Sequence, residues 1–287
     1  MMSLVVATWD RVGELERLLA SLDRQTYRDI EVIVVDQNSD ERLDSVLRSH
    51  PALKIRRLRS ERGVSKARNL GLHMAEGDIV AFPDDDCWYP PELLQAVKDW
   101  FEQHPQYAVL LTAMRDDRGR SMAPKFGFRG GKCTKRTILQ CAMMTNAFLR
   151  TEAAQAVRSF REDIGPGTSS PYQSGEDLEY LIRAVRSGLP VWYEPALSVF
   201  HPYIGDRGRL LRTTYAYALG VGFVLRLHDY SWAVLVGCVA RSLCRAAIQL
   251  CKSDREGARI YALRAKGQFR GYAFPPTNGV NPTPGPG

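Results

Sequence analysis

Three apolar runs in the first third of the chain each stop at short polar side chains, and this recurrence restricts the fold more than any other feature. Residues 4–7 lead into Thr8, Trp9, Asp10 and Arg11, and residues 30–35 into Asp36, Gln37, Asn38, Ser39 and Asp40. Residues 79–82 lead through Pro83 into Asp84, Asp85 and Asp86. Short β-branched and apolar runs bounded by proline or polar residues read as buried strands. The stretches between them carry helical periodicity. The helix expected over 14–21 puts Leu15, Leu18, Leu19 and Leu22 on one face. Residues 42–48, 64–75 and 91–104 read as further helices, the second closed by Gly77 and the third opening on proline, with a short strand at 54–58. Such alternation implies a largely parallel sheet covered on both faces. Ligands on these sheets bind beyond the carboxyl ends of the strands, so the three polar loops are expected to line one crevice.

The third loop is the most demanding of the three. Consecutive carboxylates at the end of a buried strand repel one another and lose hydration. A cation or a set of hydrogen-bond donors relieves that cost. Hard divalent ions such as Mg²⁺ or Mn²⁺ take carboxylate oxygens and share them with substrate phosphates. A solvated acidic turn is the plain alternative, because Asp is common in loops.

The chain has 287 residues, 45% hydrophobic and 25% charged, which suffices for a sizeable core in one large domain or two smaller ones. Its net charge of +7 suits anionic partners such as nucleotide phosphates or an acidic membrane surface. Nucleic acid is not expected, since no run of Lys and Arg interleaved with aromatics occurs. The six cysteines form no CxxC pair, which favours reduced thiols in a cytoplasmic protein. The N-terminus enters a strand-like run at once and lacks the basic and apolar regions of a signal peptide. Residues 232–240 are the most apolar later stretch; with Arg241 and Arg245 interrupting it, the stretch reads as too short to span a bilayer.

Beyond residue 107 the pattern loosens. Residues 109–113 read as a strand, 115–135 as a basic, Gly-rich loop or hairpin, and 141–149 as a buried strand-like segment. A flexible loop at 164–171 leads to Gly175, Glu176 and Asp177 and then to a helix over 178–187. Acidic residues in a first helical turn are ordinary caps. Short strands at 191–193 and 197–200 lead to His201. Residues 208–271 read as basic amphipathic helices, suited to packing on their own domain, to a homodimer, or to peripheral membrane contact on the inner face of the cell membrane. The expected division is a domain at 1–205, a helical region at 206–272 and a disordered Pro/Gly-rich tail at 273–287.

Taken in order, these segments resemble the family-2 glycosyltransferases of the GT-A fold. Residues 7–11 (ATWDR) stand where that family has a P-T-Y-N-R loop, and residues 34–40 (VVDQNSD) where it has V-V-D-D-G-S-x-D. Residues 63–71 (GVSKARNLG) resemble its G-x-S-x-A-R-N-x-G helix, the triple aspartate its metal-binding D-x-D, and residues 175–177 its G-E-D segment. The similarity covers residues 1–201. Ala7, Trp9-Asp10 and Gln37-Asn38 depart from the pattern, which bears on how the first two loops hold a base.

The resemblance implies an α/β GT-A domain and transfer of a sugar, with inversion, from a nucleotide-diphosphate donor to a saccharide or lipid-linked acceptor in surface polysaccharide or glycan synthesis. UDP- or dTDP-sugars are the donors expected, because Asp36 is kept. On this reading Asp36 accepts from the nucleobase imide, Thr8 and Asp10 line the base or ribose pocket, Arg11 and Asn38 also bind the nucleotide or donor, and Asp84 or Asp85 bonds ribose or donor-sugar hydroxyls. Mn²⁺ or Mg²⁺ sits on Asp86, with Asp84 and with His201 as a third ligand or merely a packed histidine. Arg68 either supports the acidic cluster, touches the donor, or makes a structural salt bridge. A single displacement needs a base on the acceptor hydroxyl, assigned to Asp177 with Glu176 as the close alternative. Arg207 and Arg209 either clamp the diphosphate or stay solvated or face acidic lipid. Two other readings compete. A nucleotidyltransferase should carry a Gly-rich phosphate loop with a basic residue near its start, which residues 7–15 lack. A non-catalytic nucleotide-sugar-binding protein would not need Asp86 and Asp177 intact.

Overall fold

Where β-branched runs alternate with one-sided leucine stripes, the chain builds a sheet with helices on both faces. The computed structural model describes residues 1–123, 129–203 and 205–274. The first half runs β1 (Met2–Thr8), α1 (Val12–Asp23), β2 (Ile30–Asp36), α2 (Asp44–Arg48), β3 (Lys54–Arg59), α3 (Val64–His73), β4 (Ile79–Ala81) and α4 (Leu93–Gln103). It continues with β5 (Val109–Arg115), β6 (Ser121–Ala123), β7 (Gly131–Lys132), α5 (Ile138–Cys141), a 3₁₀ turn (Met144–Asn146), β8 (Ala147–Arg150), α6 (Thr151–Val157), α7 (Glu176–Arg186) and β9 (Val191–Phe200). Three long helices follow: α8 (Arg207–Leu227), α9 (Trp232–Cys251) and α10 (Arg255–Ala273).

The strands form one sheet in the order β3-β2-β1-β4-β8-β5-β9-β7, with β6 pairing β5. Strands β3, β2, β1 and β4 are parallel, β8 lies antiparallel between β4 and β5, and β9 returns parallel to β5. The chain leaves β1 toward β2 and β3 and comes back on its other side at β4. In sheets of this kind ligands bind at such a reversal, beyond the carboxyl ends of the strands, here β1 and β4. One face of the sheet packs Leu4, Val6, Val32 and Val34 on Leu15, Leu18, Leu19 and Leu22 of α1, all fully buried. On the other face α3 approaches so closely that a Cβ on Gly71 would lie 2.2 Å from Val5 Cγ1.

Strand and helix positions in the first half match the sequence pattern, with ends shifted by a few residues. The segment at 141–149 differs: it ends α5, turns through the 3₁₀ unit and only then becomes β8. The two short strands expected before His201 are one strand, β9. Its pairing with β5 shifts from Thr112↔Glu194 to Ala113↔Ser198, leaving Pro195, Ala196 and Leu197 as the bulge. The region at 115–135 does turn back on β5 through β6; residues 124–128 within it, and 275–287 of the expected tail, lie outside the described residues.

By internal contacts the chain divides into two units, Met1–Arg161 with Tyr180–Tyr203, and Glu162–Glu179 with Ile204–Gly287. The first contains the sheet. The second joins the loop before α7, and the first turn of α7 itself, to the three C-terminal helices. Within it α8 and α10 pack at glycines: a Cβ on Gly271 would stand 2.0 Å from Leu219 O, and one on Gly222 2.2 Å from Gln268 O. Tyr172 stacks on Phe223 at 4.3 Å, and the Ser174 hydroxyl donates to Tyr217 O at 2.8 Å. Helix α9 continues through Arg241 and Arg245 to 20 residues, longer than the apolar run at 232–240 suggested. By length and composition alone it could cross a bilayer, and only 17% of its most apolar stretch is buried.

Candidate active site

Strand β4 is three residues long, and the chain beyond it turns sharply, with Cys87 N donating to Asp84 O at 3.1 Å. The three carboxylates of this turn meet three different environments. Asp85 is almost fully buried and accepts from Arg11 Nη1 at 2.8 Å. Burial pushes its carboxyl up to about 6, against the opposing pull of Arg11 and the Thr8 hydroxyl. The same Arg11 nitrogen donates to Asp86 Oδ2 at 2.7 Å, while Asp86 Oδ1 faces His201 Nε2 at 3.0 Å. Burial alone would raise Asp86, but the His201 contact and Arg11 outweigh it and hold the carboxyl below its ordinary value. Burial likewise disfavours the His201 imidazolium, yet Asp86 dominates and raises the imidazole. Asp84 is the most open of the three; it accepts from Arg68 Nη2 at 3.2 Å and from the Thr145 hydroxyl.

His201 reaches this turn because β9 ends at Phe200 beside the carboxylates: Trp88 and Phe200 pair backbone to backbone, with Trp88 N donating to Phe200 O at 2.9 Å. Its Nδ1 lies 2.9 Å from Pro202 O. One ligand atom each from Asp84, Asp86 and His201 lie within 4.8 Å of one another. Two carboxylates and an imidazole suit a hard to borderline divalent ion such as Mn²⁺, so the residues fit the metal that the resemblance implies. Arg68 is buried and pairs with Asp84, an arrangement common to the supporting and the structural salt-bridge alternatives. Asn69 is structural, exchanging two hydrogen bonds with the backbone of Phe160.

The first two loops are tied to each other. Asp10 sits at a left-handed φ of 58°, and its N–H donates to Asn38 Oδ1 at 2.9 Å. Asn38 in turn donates from its backbone and side-chain nitrogens to Asp36 Oδ1, both at 2.8 Å. The other oxygen, Oδ2, accepts from Arg57 at 2.6 Å and stands 2.9 Å from Arg59 Nη1. Asp36 is wholly buried. Both of its oxygens are engaged, so accepting from a nucleobase would require one of these donors to leave. Thr8 is buried between the loops, and Trp9 is exposed with the Arg62 guanidinium stacked 3.7 Å above its ring.

Thr8, Asp10, Arg11, Asp36, Asn38, Arg68, Asp84, Asp85, Asp86 and His201 all belong to the first unit. Glu176 and Asp177 open α7 in the second unit, Glu176 buried and Asp177 half-buried. Gly165, at φ 105°, lies against the Glu176 carboxyl, where an added Cβ would come to 3.0 Å. Sequence reasoning missed Arg57, Arg59, Thr145 and Arg17, whose guanidinium donates to Asp86 O. A signal existed for the first two: Arg57 and Arg59 are two apart on a strand, hence on one face, and the β2–β3 register sets Asp36 opposite Arg59. Thr145 and Arg17 carry no local signal.

Residues 3–158 match the glycosyl transferase family 2 profile. An uncharacterized glycosyltransferase of Haemophilus influenzae is 36% identical over 107 residues, covering 37% of this chain and 36% of that protein. The poly(ribitol-phosphate) beta-N-acetylglucosaminyltransferase TarS of Staphylococcus aureus is 32% identical over 126 residues, covering 42% of this chain and 22% of TarS. The matched stretches thus span no more than 36% of either relative's length. Among solved structures, TarS 1–349 in complex with UDP-GlcNAc superposes with a TM-score of 0.62 at 17% identity, covering 93% of this chain and 92% of that one. The mannosyltransferase PcManGT of Pyrobaculum calidifontis, in complex with GDP-Man and Mn²⁺, superposes with a TM-score of 0.61 at 18% identity, covering 93% of this chain and 86% of that one. These superpositions show the shared GT-A-like fold. Since the profile runs from β1 through the carboxylate turn to the end of α6, more than half of the chain, the protein belongs to glycosyl transferase family 2.

Proposed function

We propose that this chain transfers a sugar, with inversion, from a UDP- or dTDP-type donor to a saccharide or lipid-linked acceptor, in the synthesis of a surface polysaccharide or glycan. The observation that carries the reading is the convergence of Asp84, Asp86 and His201 at the ends of β4 and β9. A divalent ion held there, Mn²⁺ or Mg²⁺, would supply positive charge to the diphosphate leaving group. Arg11 and Arg68 keep the carboxylates in place by direct hydrogen bonds. Asp10 and Asn38 shape the loop facing the nucleoside, with Asp36 as the buried anchor beneath them. Asp177 removes the acceptor hydroxyl proton. Its partial exposure favours it over buried Glu176, since a base must reach its substrate. The TarS complex with UDP-GlcNAc and the PcManGT complex with GDP-Man support a nucleotide-sugar donor by likeness of fold, and the uridine- or thymidine-type choice rests on the resemblance at Asp36.

The test is a panel of nucleotide sugars screened for thermal stabilisation with and without Mn²⁺. A ligand present at a hundredfold its Kd stabilises the native state by about 2.7 kcal/mol. UDP- or dTDP-sugars should raise Tm only with the metal present, and Asp86→Ala should erase the dependence. Asp177→Asn should bind donor normally while losing about 10²- to 10⁴-fold in transfer rate. Full transfer activity in both Asp177→Asn and Glu176→Gln would refute the assignment of the base, and stabilisation by GDP-sugars alone would refute the donor.

A further inference from the structure

Helix α9 is held on one side and bare on the other. Leu235, Ser242 and Ala246 are buried, and the Ser242 hydroxyl lies 3.1 Å from Gln268 Oε1 of α10. At 100° per residue, Val236, Leu243 and Leu250 line one border of the exposed arc and Ile248 the other, each at least 51% exposed, while Trp232, 53% exposed, stands at the first border with its ring edge to face on Tyr272 of α10. The residues between the two borders are alanine, glycine and cysteine. Among the described residues, ten large apolar side chains are exposed, and half of them are on this one helix. A surface of that kind marks an interaction site.

The charge of the chain indicates what covers it. Residues 206–270 hold 12 of the 39 Lys and Arg but only 4 of the 32 Asp and Glu, so this stretch carries +8 and the remainder −1. Arg241 borders the bare face, and Lys252, Arg255 and Arg259 follow it, all exposed. An occupant must therefore be both apolar and anionic. A second copy of the chain would set +8 against +8.

We propose that the outer face of α9 docks on an anionic lipid bilayer, lying in the plane of the interface. The large side chains enter the headgroup–acyl boundary, and the basic residues at its edge meet the headgroups. Crossing the bilayer is disfavoured, because Arg241 and Arg245 would then lie near its centre. The inference is independent of the donor and acceptor proposed above.

The full chain should co-sediment with phosphatidylcholine vesicles that contain phosphatidylglycerol, and weakly or not at all with phosphatidylcholine alone. Replacing Leu243 and Ile248 together with Gln should weaken partition by about tenfold or more. Both side chains point to solvent, so circular dichroism and the unfolding midpoint should match the parent and separate lost binding from lost fold. Raising salt should also release the parent. Equal sedimentation of parent and variant, or a parent that stays in the supernatant, overturns the proposal. A dimer in light scattering that the double variant dissolves, without vesicle binding, assigns the face to a second copy instead and equally overturns it.

Discussion

Arg11 is the side chain on which the acidic turn depends. One of its nitrogens bonds both Asp85 and Asp86, and these carboxylates are only 7% and 13% exposed. Without it, two buried carboxylates would face each other with the His201 imidazole still against Asp86. Hydrogen bonds to charged groups contribute about 1.5–3 kcal/mol, so Arg11→Ala should destabilise the fold by about that amount in chelator. Mn²⁺ should recover part of the loss, because a cation on Asp86 offsets the same repulsion. Equal melting losses with and without Mn²⁺ would refute this. The triple aspartate was legible because it is local. Its neutralisation was legible only in part: support of the cluster was one of the alternatives expected for Arg68, whereas Arg11 was expected at the nucleotide and instead meets Asp85 and Asp86. Arg57 and Arg59 escaped notice for a related reason, since their meaning depends on which strand lies beside β2.

At the scale of elements, period and punctuation carried most of the first half. The leucine stripe of α1 and the β-branched run of β2, apolar but for Glu31, specify their own structure. The stretch from Cys141 to Leu149 does not, because it is apolar without a period, and its course is set by tertiary demands such as Thr145 reaching Asp84. Helix α3 shows a constraint visible only in packing. Gly71 is a poor helix former, and alanine there would gain about 1 kcal/mol of propensity. Yet its Cβ would meet Val5 Cγ1 at 2.2 Å and Val35 Cγ2 at 3.3 Å. Overpacking of that kind costs about 1–3 kcal/mol, so Gly71→Ala should lower the urea midpoint. Gly13→Ala in α1, with nothing within 4 Å of its Cβ, should leave the midpoint unchanged or raise it. A raised midpoint in both would show that propensity, not packing, decides.

For the molecule as a whole, the two units divide the proposed chemistry. The carboxylates and His201 belong to the sheet unit, whereas Glu176 and Asp177 belong with the C-terminal helices, a grouping that chain order conceals because residues 180–203 intervene. The loop before α7 rests on α8 within its own unit: a Cβ on Gly220 would lie 1.9 Å from Ser174 O, and Gly175 sits at φ 107° beside Val224. An alanine at position 220 must therefore push the loop, and with it the start of α7, by an ångström or more. A displacement of about 1 Å in a reacting group can cost about 10²-fold in rate. Gly220→Ala should thus lower kcat by about that factor. Stabilisation by Mn²⁺ with UDP should persist, because Asp84, Asp86 and His201 are fixed by β4, β9 and their arginine partners in the other unit. Parallel loss of nucleotide stabilisation and turnover would mean that the variant damages the whole fold. Unchanged turnover would mean that the acidic pair does not depend on α8 for its place, and the base would have to be sought elsewhere.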